Sequence, residues 1–251
     1  MTMLASKCCV YPVKATAAGL SILPTDSAYL NDNHFFYVVG EVLNAGDTAV
    51  TDVYVNATFY KSTGETVAEI SQATELSTIL PGRTSPFDIT LMDHTESQQV
   101  YNYTLRIVQS SIAQNWQLGL MIISNSSSLD SNGFHINGVA KNIGTQSTSF
   151  TRVIATFYNL TGHAVGTVAN ESDPSFLDVN QTAPFEISLN SSAVSQVDHY
   201  ALEAESYDST SNAYDYELIP EFQPIIFLLT LVTSTLALAI IPRRIKKTPP
   251  R

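Results

Sequence analysis

Histidine, cysteine and carboxylate side chains carry most protein chemistry, and in this sequence their spacing assembles none of it. The five histidines, His34, His94, His135, His163 and His199, form neither a His-Glu-x-x-His run nor another paired metal-ligand spacing. Cys8 and Cys9 are neighbours, and a disulfide between adjacent residues is strained, so they staple nothing. No Gly-x-Ser-x-Gly elbow and no phosphate-cradling glycine loop occurs. The expectation is a chain with no catalytic residue, no metal and no cofactor. Asn31-Asp32-Asn33 and Asp130-Ser131-Asn132-Gly133 hold oxygen ligands of the kind Ca²⁺ uses, but runs of this type are ordinarily turns.

The residues that do suggest chemistry are acceptors for modification. Seven asparagines stand in Asn-x-Ser/Thr sequons without a central proline: Asn56, Asn102, Asn125, Asn159, Asn170, Asn180 and Asn190. Glycosylation requires exported, outward-facing sites. Strand phase puts Asn56 and Asn102 on outward faces, and Asn159, Asn170, Asn180 and Asn190 fall in turns or at strand ends.

The second chemical device is at the C-terminus. Pro220-Glu221-Phe222 precedes 224–241, eighteen residues without a charge, and Arg243, Arg244, Lys246 and Lys247 follow. A helix of that length spans about 27 Å, enough for the hydrocarbon core of a bilayer. The basic cluster should stay cytoplasmic, which puts everything before Phe222 outside. The expectation is a single-pass protein of the plasma membrane. Residues 1–18 end in Ala15-Thr16-Ala17 and read either as a truncated secretory signal or as a leader.

Charge narrows the partners. From Gly19 to Phe222 there are 23 acidic residues against five basic ones, Lys61, Arg83, Arg106, Lys141 and Arg152, a net of −18. Such a body repels nucleic acid, so no nucleic-acid partner is expected, whereas the lipid membrane is.

These residues must be held by elements, and the elements come twice. Ala57-Thr58-Phe59-Tyr60 recurs 98 positions later as Ala155-Thr156-Phe157-Tyr158, and the same offset pairs Gly40 with Gly138, Asn44 with Asn142, Gly64 with Gly162 and Pro86-Phe87 with Pro184-Phe185. A constant register over some fifty residues means one duplicated β-domain. Period-two runs give strands: Phe36, Val38, Gly40 and Val42 inward, then Val53, Val55, Ala57 and Phe59, with copies at Phe134, Ile136, Gly138, Ala140 and at Val153, Ala155, Phe157. On this phase Thr58, Tyr60, Thr156 and Tyr158 face solvent. Tyr54, Tyr60 and Tyr158 could form a recognition patch, with cross-strand pairing the simpler use. Trp116 should pack between the domains.

The predicted fold is all-β: two tandem immunoglobulin-like or fibronectin-like antiparallel β-sandwiches plus one C-terminal transmembrane helix. Strand count alone leaves a small barrel open. The division is a leader at 1–18, repeat 1 at 19–108, a connector at 109–118, repeat 2 at 119–207, a stalk with the Pro-Glu-Phe motif at 208–223, the span at 224–241 and a basic tail at 242–251.

Gly40 to Gly46, Val55 to Tyr60, Gly64, Leu80-Pro81-Gly82 and Pro86-Phe87-Asp88-Ile89 together resemble the FxLYD family of β-sandwich domains. The resemblance covers both repeats and implies extracytoplasmic modules of prokaryotic, often archaeal, surface proteins, with no catalytic residues to carry over. The second copy departs from it at Val179-Asn180-Gln181. Pro220-Glu221-Phe222 with its apolar span and basic end is similar to the PEF-type sorting signal. That resemblance implies an archaeosortase-like processing enzyme and a lipid anchor after cleavage; otherwise the helix remains as a plain anchor. The expected role is a cell-surface, non-enzymatic structural, adhesive or assembly protein among other surface-layer proteins. The alternative is a ligand-binding or accessory module of a surface transporter or enzyme.

Overall fold

The computed structural model describes residues 19–114, 116–207, 209–210 and 214–217. The leader, Pro220-Glu221-Phe222, the apolar stretch 224–241 and Arg243, Arg244, Lys246 and Lys247 lie outside the described residues. No helix among the described residues is long and apolar enough to cross a membrane.

The fold is all-β, built from antiparallel sheets. Repeat 1 runs β1 (Leu20–Ile22), β2 (Ser27–Leu30), β3 (Phe36–Asn44), β4 (Val50–Tyr60), β5 (Thr66–Ala73), β6 (Thr78–Ile79), β7 (Thr84–Leu91), the short helix α1 (His94–Ser97) and β8 (Asn102–Ile112). One sheet has β1 and β2 along one edge of β3 and β7 along the other; the second pairs β4 with β5, β6 and β8. Between them Val38, Val42, Phe87 and Ile89 from the first sheet meet Val55, Ala57, Phe59 and Ile107 from the second. Burial of this apolar strip, at about 25 cal/mol per Å², is what holds the sheets together.

Repeat 2 runs β9 (Gln117–Leu118), β10 (Leu120–Asp130), β11 (Gly133–Asn142), β12 (Arg152–Tyr158), β13 (Ala164–Glu171), β14 (Thr182–Leu189), β15 (His199–Glu205), β16 (Ser209–Thr210) and β17 (Tyr214–Glu217). Its sheets are β10-β11-β14 and β13-β12-β15, the latter extended by β16 and β17 on β15 and by β9 in parallel with β16. The stretch expected to be a stalk thus contributes two strands. Pairing to a neighbouring backbone needs no apolar period, which is why the polar run gave no strand signal. The expected connector is shortened as well, because β8 continues to Ile112.

The repeat is exact down to side-chain geometry. Phe36 meets Phe59 edge-on at 5.8 Å and 81°, and Phe134 meets Phe157 at 5.6 Å and 81°. Asn44 and Asn142 are both fully buried and make the same three bonds, described below. Tyr103 donates its hydroxyl to Asp26, in the turn before β2, and Tyr200 to Asn125 of β10 at 2.6 Å, tying the closing strand to the N-terminal part of each copy. Asn180, at φ 66°, takes the left-handed place that Gly82 holds at φ 74° in repeat 1, and both donate to the carbonyl of the buried asparagine. The two copies therefore differ at this loop in residue type and not in backbone.

The paired glycines have a steric cause. Gly40 faces Phe87 and Gly138 faces Phe185 across the β3/β7 and β11/β14 pairs. A Cβ on Gly40 would sit 2.6 Å from Phe87 Cζ; on Gly138 it would sit 2.3 Å from Phe185 Cζ and 2.6 Å from the Ser124 carbonyl oxygen. Gly138→Ala is expected to lower stability in urea unfolding by about 1–3 kcal/mol. Gly40→Ala should lose less, because it meets only side-chain atoms where Gly138 also meets the Ser124 backbone, and Phe87→Leu should rescue it better than Phe185→Leu rescues Gly138→Ala.

Candidate functional site

The chemistry-bearing side chains converge where the two repeats meet. The outer face of the β2-β3-β7 sheet lies against β13, and side chains of β12 and β15 reach the same contact. Strand alternation puts Val39 and Glu41 on that face of β3, and both are buried, at 0% and 6% exposure. Thr156 and Tyr158, expected to face solvent, point into the same contact: Thr156 is buried, and Tyr158 donates its hydroxyl to Glu41 Oε1 at 3.0 Å and stacks on His199 at 4.9 Å. This corrects the solvent-face reading of β12. A polar alternation marks water only when nothing else covers the face.

Two arginines organise the contact. Arg83, at the lip of β7, donates to Glu203 Oε1 at 2.9 Å. Arg152 donates to its cross-strand partner Glu205 through Nε at 2.8 Å and Nη2 at 2.6 Å, and to the Glu75 carbonyl. Glu205 also accepts from Ser77 N at 2.8 Å and Ser77 Oγ at 3.2 Å. Lower on the contact, Ala164 N donates to the Thr25 carbonyl at 2.9 Å and Ser27 Oγ donates to the Ala164 carbonyl. His163 Nδ1 lies 3.0 Å from the Asp26 carbonyl, which only accepts, so the proton is on Nδ1.

Carboxylates outnumber guanidiniums here: Glu41, Glu75, Glu203 and Glu205 against Arg83 and Arg152. Burial pushes the Glu203 carboxyl up to about 7, an effect that Arg83 only partly offsets and that Glu41 and Glu205 reinforce. Burial also raises Glu75, against the pull of Arg152. On the same outer face Asp88 is pushed up to about 6 by burial, with Thr90 opposing and Glu75 adding. Burial and Glu41 hold the Tyr158 phenol far above its ordinary range, so it stays a donor.

Glu203, Glu75 and Asp88 each take up a proton at higher pH in the folded state than in the unfolded one. Their contribution to stability is full below about pH 4.5 and is lost as the pH rises through about 6 to 7. Thermal unfolding is therefore expected several degrees higher at pH 5 than at pH 8. For Glu203 alone the bound is about 3 kcal/mol. A flat or rising profile between those values would contradict the placement of these groups.

Chemically the cluster is a clamp: donors and acceptors answer one another across two duplicated modules. The sequence reading singled out none of Glu41, Glu75, Ser77, Arg83, Arg152, Glu203 and Glu205. The available signal was Val39 and Leu43 on the outward face of β3 beside Glu41, together with Arg83 and Arg152 standing at strand ends.

The sequons do not gather at this clamp. Asn170, Asn180 and Asn190 are exposed, and Asn102, Asn125 and Asn159 are half-buried. Asn56 keeps its outward phase but is only 5% exposed. Its Nδ2 donates to Ser71 Oγ at 3.1 Å and its Oδ1 accepts from Thr58 and from Arg106, whose residues Ser71 and Arg106 are its cross-strand neighbours. An outward phase at a central strand is thus no guarantee of access.

Of the tyrosines proposed as a patch, Tyr54 is 36% exposed and Tyr60 half-buried, whereas Tyr158 belongs to the clamp. Trp116 is 41% exposed and is not enclosed between the repeats. Both Asn/Asp loops are turns: Asn31 Oδ1 accepts from Phe35 N at 2.9 Å, and Asp130 Oδ1 from Asn132 N at 2.6 Å. Among the described residues no group of three or more His, Cys, Asp or Glu is placed to hold a metal ion.

No family model and no curated protein matches the sequence. Among solved structures, red sea bream transglutaminase aligns over 80% of this chain and 31% of its own, at 8% identity and a TM-score of 0.27. Bacteroides uniformis beta-glucuronidase 2 aligns over 81% and 32%, at 12% identity and 0.27. Amycolatopsis orientalis exo-chitosanase CsxA aligns over 80% and 26%, at 10% identity and 0.24. This chain spans roughly a quarter to a third of those proteins, and TM-scores this low identify neither a fold nor an activity for it.

Proposed function

We propose that this is a non-enzymatic cell-surface protein whose two immunoglobulin-like or fibronectin-like sandwiches form one stiff extracytoplasmic body with a structural, adhesive or assembly role, held at the plasma membrane by 224–241. The clamp between the repeats is the observation that carries this reading. Glu41, Arg83, Arg152, Tyr158, Glu203 and Glu205 pair with one another at the contact between the repeats. A single-pass helix or, after processing at Pro220-Glu221-Phe222, a lipid would complete the anchor, and the exposed Asn170, Asn180 and Asn190 are the acceptors best placed for glycans. β17 runs from Tyr214, opposite Leu202, to Glu217, opposite His199, so the described residues end at the His199 end of β15.

Membrane fractionation with intact-mass analysis of the native protein tests the proposal. The expected protein sits in the membrane fraction and is heavier than its retained chain by glycan, or has lost the residues after the motif and gained lipid. Recovery from the soluble fraction at the unmodified chain mass of 27.3 kDa overturns it.

A further inference from the structure

The duplication supplies an internal control, because the core positions of repeat 2 have counterparts in repeat 1. At one position both copies force a left-handed backbone: φ is 53° at Asp52 and 54° at Phe150. Aspartate tolerates that conformation, whereas for a bulky aromatic residue it is an outlier. Phe150 gains no burial in return, being 68% exposed. A residue that is both strained and uncovered is explained by what it meets outside the molecule.

Phe150 does not stand alone. Thr148 and Leu177 exchange backbone hydrogen bonds, and Thr151 N donates to the Ser175 carbonyl at 2.8 Å, which brings Phe176 alongside. Tyr207 N donates to the Ser149 carbonyl at 3.2 Å. Phe176 is 54% and Tyr207 82% exposed. Their counterparts in repeat 1, by the offsets of 98 and, on the closing strand, 97, are Thr78 and Ser110. Three aromatic side chains therefore replace small polar or acidic ones on three adjoining loops, and only in repeat 2. Ser147, Ser149 and Ser175 are on the same loops, and the loops 143–151 and 172–181 carry Asp173 and Asp178 and no lysine or arginine. Exposed aromatic anchors interspersed with serine on rigidly tied loops are the chemistry of a protein-binding paratope.

We infer that Phe150, Phe176 and Tyr207 form a docking surface for a protein partner that presents an apolar knob flanked by lysine or arginine. Charge selects this occupant: the rim is acidic, and a second copy, with the same net of −18 over its body, would be repelled. The surface goes beyond the anchoring proposal and does not depend on it. It lies at the Glu205 end of β15, and the described residues end at the His199 end, about 20 Å away over seven strand residues.

The test pairs stability with binding, using the purified full chain and its Phe150→Asp variant, which restores the repeat 1 residue. Thermal unfolding of the variant should be unchanged or raised, since strain is relieved. Both proteins are then applied to an array of synthetic hexapeptides with an aromatic or aliphatic pair flanked by Lys or Arg, and to an array of neutral oligosaccharides. Basic-apolar peptides should bind the wild type, and Phe150→Asp and Tyr207→Ser should each weaken that binding at least tenfold. A variant that unfolds several degrees lower makes Phe150 structural and overturns the inference. So do peptide signals that the substitutions leave intact, binding confined to the oligosaccharides, or no binding to either array. None of these outcomes bears on membrane association, which the fractionation experiment reads separately.

Discussion

Replacing Arg152 with methionine should lower the stability of the protein by about 3 kcal/mol at pH 8, the low end of the range for breaking a buried ion pair because a third of the Arg152 side chain still meets water. The loss comes less from the vanished attraction than from what is left behind. Glu205 is 4% exposed and would keep only the Ser77 donors, with Glu203 buried beside it on the same strand and Glu75 across the contact. Because the stranded groups are carboxylates, acid repairs the damage. The deficit measured by urea unfolding should shrink markedly at pH 5, where Glu203 already holds its proton in the folded state and burial shifts Glu75 in the same direction. The double variant Arg152→Met with Glu205→Met should lose less than Arg152→Met alone, since it removes the uncompensated charge along with its partner. A single-variant deficit below about 1 kcal/mol that does not change with pH would mean that the clamp is a surface ion pair of the ordinary kind.

The clamp also marks the boundary of what the residues disclose before folding. Repeat register, core phase and turns were legible because each rests on local rules: period two in Val53 to Phe59, and a left-handed turn glycine at Gly64 and Gly162. What covers the other side of a strand is not local. Thr156 and Tyr158 have the polarity of a wet face and find Glu41 and the rest of repeat 1 there, 117 positions away in the case of Tyr158. Comparison between the copies contains the missing signal. β13 begins Ala164-Val165-Gly166, buried throughout, where its counterpart in repeat 1 is Thr66-Val67-Ala68 with Thr66 exposed. A strand that has lost its polar face relative to its own duplicate has something packed on it. The aromatic loops are read in the same way and in the opposite sense, since Phe150, Phe176 and Tyr207 replace polar counterparts and stay uncovered. The strand β17 was hidden for a different reason: it is recruited by the edge of β15 and needs only backbone.

Asn142→Asp should cost about 4 kcal/mol at pH 7, and Asn44→Asp the same within error, although the two positions are 98 residues apart. Each asparagine is fully buried and closes its sandwich with one amide group. Nδ2 of Asn142 donates to the Gln146 carbonyl at 2.8 Å and the Leu177 carbonyl at 3.0 Å, and Oδ1 accepts from Gly144 N at 2.8 Å. Asn44 repeats this with Thr48 at 2.8 Å, Ile79 at 2.9 Å and Gly46 at 3.0 Å. Aspartate keeps the shape and the acceptor but turns a double donor into an oxygen that faces two carbonyls. The ionised form has no place there, so the carboxyl must hold a proton and still leaves one carbonyl unanswered. Its folded pKa is raised, so stability is regained as the pH falls toward 4 and lost as it rises, and the two variants should trace superimposable profiles. Superposition is the sharper demand, because it asks whether the duplication preserved an energy as well as a geometry. If one variant loses about 4 kcal/mol and the other less than about 1, the two buried amides hold their loops with unequal force despite matching bonds, and the repeats have diverged in packing where their hydrogen bonds have not.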